Sequence, residues 1–304
     1  MKIALCQINP TVGAFKENKE LIIRNYMESL ENGADIVVFP EMSVTGYPIA
    51  DLLYEDGFIN NNMIVLDEIS SKTTKPMILG YVYEQKGRLY NSAAVCINGK
   101  QAFRYDKILL PTYDVFDEDR YFTPGEELGL FKINIDNEEQ VIGLQICEDL
   151  WDNEYDRKIS DELCKAGASF IINISASPYH RMKFNERIDL IKKKINNIKK
   201  PIYYCNLVGA QDELIFDGES IAVNSDGKLI GLGKKFSEEI IYIDSNTDLV
   251  ISDPKIDKYS EMYNALVLGI QDYFSKTFHY EAVIGLSGGI DSSLVACLAT
   301  DALG

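Results

Sequence analysis

Histidine is nearly absent from this chain: two residues, His180 and His279, serve 304 positions, and a single tryptophan, Trp151, joins them in scarcity. A nucleophile here is short of imidazole bases and must look to a carboxylate. The six cysteines (6, 96, 147, 164, 205, 297) show no paired CxxC spacing and lie mostly in apolar runs. That argues against a zinc site or a disulfide framework and makes at least four of them small core residues. No apolar run reaches membrane-spanning length, and the opening MKIALCQINP is interrupted too soon for a signal peptide, so a cytoplasmic location is expected. Basic side chains are outnumbered as well. Thirty Lys and Arg against 47 Asp and Glu leave a formal charge of -17, which repels nucleic acid and anionic lipid and excludes both as partners. What remains is a globular composition, 46% hydrophobic, in a length that weakly favours two domains.

Short runs rich in Val, Ile and Tyr predict strands at 2–8, 35–39, 77–83, 92–97, 140–146, 169–174, 202–206, 220–223 and 240–243. Helical spacing is clearest at 19–31 and 185–199, where Ile188, Ile191, Ile195 and Ile198 share one face that should dock on a sheet. The lysines 192–194, 199 and 200 then read as the solvated back of that helix. The polar stretch 246–258 predicts a linker between a first domain, 1–245, and a C-terminal segment, 259–304. After it come a helix over 260–277, an apolar run 281–286, a glycine turn and a second helix. There is no internal sequence repeat.

Three places combine complementary chemistry. Cys147 follows the apolar run 141–146 and precedes EDLWD, where a buried strand emerges into a turn. A thiol must lose its proton to attack, and a nearby ammonium lowers its pKa from about 8.5 towards neutrality. Lys107, in YDKILLP, can supply that charge and steady an oxyanion. Glu41, after FP at the end of the run 35–39, is the candidate base, on the same rim of a sheet as Cys147; Glu118, in VFDEDRYF, is a second carboxylate. Each has an ordinary alternative: a solvated acid, a surface lysine, a core cysteine.

The segments PEMSVTGYP, KILLPTYDVFDEDRYF and GLQICEDLW resemble the three catalytic segments of the nitrilase, or carbon-nitrogen hydrolase, superfamily, which supply Glu, Lys and Cys in that order. The phrase DLLYEDGF and the C-E-D-x-W pattern are further similar to the glutaminase domain of the glutamine-dependent NAD synthetases. The resemblance implies an α/β fold, a nitrilase-like α/β/β/α sandwich, with Tyr113, Ser177 and Lys183 contacting glutamine. It implies that Glu41 takes the Cys147 proton, the thiolate attacks the carboxamide, and Lys107 with the backbone N–H after Cys147 holds the oxyanion. It also implies a homo-oligomer.

The second motif lies in EAVIGLSGGIDSSLVACLATDALG. A strand candidate leads into two glycines and a helix start, where free N–H groups suit an anion; without GK[ST] it is not a Walker loop, and a plain strand-to-helix turn is the alternative. SGGIDSS resembles the pyrophosphate loop of the ATP pyrophosphatases, a doubly wound α/β class. By that resemblance residues Leu286, Ser287, Gly288, Gly289, Ile290, Asp291, Ser292 and Ser293 bind ATP, with Asp291 as an Mg²⁺ ligand and deamido-NAD as the partner substrate. In that class the ATP domain continues well past this helix, so a chain stopping at Gly304 reads as the N-terminal part of a longer enzyme with an incomplete ATP site. A free-standing amidase of another small amide and a non-catalytic synthetase subunit are the rival readings.

Overall fold

The computed structural model describes every residue except 136, 253, 255 and 256. Its strands form two six-stranded mixed sheets and one hairpin. The first sheet contains β1 (Lys2–Gln7), β2 (Ile36–Val38), β3 (Met77–Gln85), β4 (Arg88–Ile97), β5 (Lys100–Asp106) and β14 (Glu239–Asp244), in the order β14-β1-β2-β3-β4-β5. The second contains β6 (Gly129–Ile135), β7 (Glu138–Ile146), β8 (Phe170–Ser175), β9 (Ile202–Asn206), β12 (Ile221–Val223) and β13 (Leu229–Leu232), in the order β13-β12-β9-β8-β7-β6. Between β9 and β12 the hairpin β10 (Val208–Gln211) and β11 (Leu214–Asp217) stands apart. Each large sheet has three parallel strands, β1-β2-β3 and β7-β8-β9. Parallel neighbours need crossovers, and helices supply them: α1 (Phe15–Glu31) and α2 (Phe58–Ser70) in one half, α3 (Ile159–Lys165) and α4 (Lys183–Ile198) in the other. Two halves of like topology thus arise without a sequence repeat.

Alternation along the strands sets the layers. On β1, Ile3 and Leu5 enter the core between the sheets with Leu144, Ile172 and Tyr203, whereas Ala4 and Cys6 face Ile22, Tyr26 and Leu66 of α1 and α2. On the other side Ile171, Ile202 and Tyr204 meet Phe184, Ile188, Ile191 and Ile195 of α4. The result is the α/β/β/α sandwich. One expectation about α4 fails: Lys194 is buried, not solvated, and its ammonium pairs with the buried Asp152. Position 194 lies three residues after Ile191 and so shares its inward face.

Beyond the sandwich, α5 (Lys258–Lys276) lies on the hairpin. Asp272 accepts from the Ala210 N–H at 2.6 Å and from Asn9 Nδ2 at 2.8 Å, while Lys276 Nζ donates to Ala210 O at 2.8 Å. The last helix, α6 (Ile290–Leu303), packs on α5, with Tyr263 donating to Asp301 at 2.8 Å and Leu298 and Ala302 buried. The strand expected over 281–286 does not form; Val283 and Leu286 are exposed. No strand lies beside this run among the described residues, and an apolar segment without a pairing partner has no ladder to join. Of the expected linker, positions 253, 255 and 256 lie outside the described residues. Among the described residues no helix is long and apolar enough to cross a membrane.

Candidate active site

Glu41 follows β2 in the first sheet and Cys147 follows β7 in the second, so they do not share the rim of one sheet as the sequence suggested. Strand-end placement cannot tell one sheet from two that face each other. The sandwich brings the two ends together: Glu41 Oε2 accepts from the N–H of Ala176, just past β8, at 2.8 Å. Its Oε1 accepts from Lys107 Nζ at 2.9 Å and from Asn91 Nδ2 at 2.7 Å. Lys107, immediately after β5, also donates to both oxygens of Glu118, at 2.9 and 2.8 Å. Tyr47 OH donates to Glu118 Oε1 at 3.3 Å. Glu41, Lys107, Glu118 and Cys147 are all at least 95% buried.

Cys147 opens a short 3-10 turn, Cys147–Leu150, with φ of 41°, in the left-handed region where a residue with a Cβ costs roughly 1–2 kcal/mol. Strain of this kind is kept only where the surroundings fix it, and it projects the side chain out of the line of β7. The thiol differs from the sequence expectation. Burial raises its pKa well above the ordinary value, the charge of Glu41 raises it further, and Lys107 offsets only part of this. Lys107 draws the thiol pKa down as expected, but with its ammonium shared between two carboxylates it does not outweigh burial. Burial likewise pushes Glu118 up, with Lys107 opposing and Glu41 reinforcing, to about 7. For Lys107 burial works against the charge, but Glu118 and Glu41 outweigh it and hold the pKa well above the usual lysine value.

Beside the thiol, the buried Glu148 accepts from Tyr113 OH at 2.9 Å and from Tyr155 OH at 3.0 Å. Tyr113 is half exposed, at the mouth of this group. Ser177 is buried past the end of β8; its N–H donates to Asn206 Oδ1 at 3.0 Å, and Arg187 donates to its carbonyl at 2.9 Å. Arg187 in turn pairs with Asp217 at 2.8 Å, both buried. Lys183 lies with its ammonium 4.1 Å from the centroid of Trp151. Burial and then Arg187 hold it below the usual lysine value, and Cys147 is close enough to act in the opposite sense. Tyr113, through Glu148, and Lys183, near enough to influence the thiol, therefore lie beside the nucleophile turn, while the contacts of Ser177 are with Asn206 and Arg187.

Sequence reasoning overlooked Asn91, Glu148, Asp149 and Tyr155. Two signals were available: Asn91 is a buried polar residue in the apolar half of its strand, and Asp149 is a short acid at the third position of a turn after a strand, where a carboxylate can reach back to the N–H at the turn's start. Glu148 and Tyr155 meet only through the fold.

The loop at residues 286–293 lies apart, at the start of α6. Gly288 has φ of +84° and open space where a Cβ would stand. Ser293 Oγ donates to Gly289 O at 2.9 Å, and Ser287 and Ser292 hydroxyls meet at 3.1 Å. Asp291 is exposed, and among the described residues no group of three or more His, Cys, Asp or Glu could hold a metal ion.

The carbon-nitrogen hydrolase family model matches residues 2–255. The chain belongs to the carbon-nitrogen hydrolase family. The NAD synthase family model matches residues 262–304. Beyond its family assignment, this carbon-nitrogen hydrolase is similar over all its length to a glutamine-dependent NAD(+) synthetase of Thermotoga maritima, at 38% identity, covering 58% of that protein. A second such synthetase, from Synechocystis, is 39% identical over 99% of the chain and 57% of its own length. The chain thus spans less than three-fifths of these curated relatives. A glutamine-dependent NAD+ synthetase structure from Acinetobacter baumannii, in complex with adenosine diphosphate, superposes with a TM-score of 0.92 at 32% identity, over 100% of this chain and 57% of that one. An amidase from Nesterenkonia shares the fold over 80% of the chain and 89% of its own, with a TM-score of 0.69 at 20% identity.

Proposed function

We propose that this chain is the glutaminase portion of a glutamine-dependent NAD synthetase, releasing ammonia from glutamine for ATP-dependent amidation of deamido-NAD. The observation that carries the reading is the buried Glu41–Lys107–Glu118 network joined to the strained Cys147 turn, with the Glu148 carboxylate and its two tyrosines beside the thiol. A simple amide needs only the first group. A carboxylate next to the nucleophile suits a substrate that also carries an ammonium, as the α-amino group of glutamine does, and Tyr113, Ser177 and Lys183 complete its surroundings.

In this reading Glu41 takes the thiol proton as Cys147 attacks the side-chain carboxamide. Lys107 and the N–H of Glu148, in a first turn where no intrahelical acceptor exists, hold the oxyanion. Protonated Glu41 gives its proton to the departing ammonia, leaving a thioester. Glu41 then deprotonates a water, which releases glutamate and restores the thiol.

The second region fits phosphate better than it fits a metal by itself. Ser287, Gly288, Gly289, Ser292 and Ser293 lie at an open turn and helix start that would hold phosphates, flanked by Leu286 and Ile290. Asp291 offers one carboxylate, enough for Mg²⁺ only when phosphate oxygens and water supply the remaining ligands. Domains of 1–245 and 259–304 about a linker, a cytoplasmic location and a homo-oligomer belong to the same proposal. The test is glutamate release from glutamine compared with turnover of acetamide and propionamide. Glutamine should be preferred by at least about 100-fold in kcat/KM, a site with dedicated polar partners discriminating strongly. Preference for a simple amide would favour the free-standing amidase.

A further inference from the structure

We infer that Asp149 is a positioning residue that sets Cys147 against Lys107, an inference that rests on the hydrolytic reading above. Asp149 is completely buried, and its carboxylate gathers four donors from two separate segments. Oδ1 accepts from the N–H groups of Ile108 at 3.2 Å and Leu109 at 2.9 Å, the two residues directly after Lys107. Oδ2 accepts from the N–H of Ile146 at 2.9 Å, the residue directly before Cys147, and from Tyr105 OH at 2.7 Å, two residues before Lys107. One carboxylate therefore ties the chain on either side of Lys107, in the first sheet, to the turn of the nucleophile, in the second.

The tie matters because Cys147 holds a backbone conformation that it would leave if released. The Asp149 bond to the Ile146 N–H closes the turn from below, and the bonds to Ile108 and Leu109 hold the segment that carries the ammonium. Hydrogen bonds to an ionised acceptor are short and roughly twice as strong as neutral ones, so a carboxylate serves better than an amide. Asparagine has the same size but one acceptor oxygen. Its NH₂ must face either the Ile146 N–H or the Ile108 and Leu109 pair, donor against donor, so one of the two segments is let go. Nothing in this arrangement touches glutamine, so the defect should appear in turnover.

The experiment compares Asp149→Asn and Tyr105→Phe with the wild-type chain, reading kcat and KM for glutamine, the thermal transition, and the rate at which iodoacetamide alkylates Cys147. Misplacement of a reacting group by about 1 Å costs on the order of 100-fold. Asp149→Asn should therefore lower kcat by about 10- to 100-fold with KM changed by less than about 3-fold, and slow alkylation by about 10-fold. Tyr105→Phe removes one donor and keeps both backbone ties; it should lower kcat by about 3- to 10-fold. A folded Asp149→Asn protein with wild-type kcat per folded molecule overturns the inference and leaves Asp149 a stability residue only. If that variant does not fold, an unchanged kcat in Tyr105→Phe overturns it instead. Should the wild type hydrolyse no glutamine, the functional reading fails, while the alkylation rates still decide the role of Asp149.

Discussion

Replacing Glu118 by glutamine makes a sharp test of the buried charge network. The carboxyl is 5% exposed and receives both Lys107 bonds, so glutamine keeps its shape and one acceptor while removing its ionisation. In the folded chain burial raises its pKa from the ordinary 4.5 to about 7 against the pull of Lys107. In the unfolded chain it titrates at the ordinary value. Between these two pH values the native state holds a proton that the unfolded state has lost, so stability is fully present below about pH 4.5 and falls as pH rises through about 7. A displacement of this size corresponds to about 3 kcal/mol, reached above pH 7. Glutamine has no proton to lose and escapes the penalty. Glu219, raised by burial to about 8, and Asp149, raised by burial to about 6, titrate in overlapping windows, but both are present in either protein and cancel in the difference. Urea unfolding of the two proteins at about pH 5 and about pH 8 should therefore show the wild type losing about 2–3 kcal/mol more than Glu118→Gln across that interval. Parallel losses would refute the claim that Glu118 is a strained, buried acid.

Lys107→Met should lower kcat for glutamine by about 100- to 1000-fold with a smaller change in KM, because one oxyanion donor is typically worth that much; steady-state kinetics decide it. Arg187→Met leaves Asp217 buried without the guanidinium nitrogen that donates to both its oxygens and should destabilise the fold by about 3–5 kcal/mol, visible as a lower urea midpoint.

Most of the sandwich could be read from the sequence, since nine strand runs and the inward face of α4 follow directly from residue spacing. Several of the elements missed have physical reasons. Strand β5, KQAFRYD, carries charge because its outer face is partly exposed, and β10 and β11 form a small hairpin of four residues each, too short for a periodicity to declare itself. Helix α2 contains three consecutive asparagines near its start, which mask its apolar face of Val65, Leu66 and Ile69. The residue types of the candidate site were legible one by one. Their partners were not, because Lys107 finds Glu41 across 66 positions through strand pairing within the first sheet, and Glu41 finds Ala176 across 135 through the packing of the first sheet on the second.

That same packing changes the chemistry expected of the thiol. The buried group sets two carboxyl groups, Glu41 and Glu118, against the single ammonium of Lys107. Ionising Cys147 to solvent would add another negative charge to a water-poor site, where charges interact several times more strongly than in bulk water. In the proposed mechanism, passing the proton to Glu41 leaves the net charge unchanged: one anion is erased as another appears, and Lys107 faces the same total on both sides of the step. On the proposed reading the raised thiol pKa is no obstacle to catalysis; it keeps Cys147 neutral until an electrophile enters the site and the proton passes to Glu41. A base that shares the lysine of the nucleophile's site, and not a lysine that pre-forms a thiolate, is the arrangement that this burial demands.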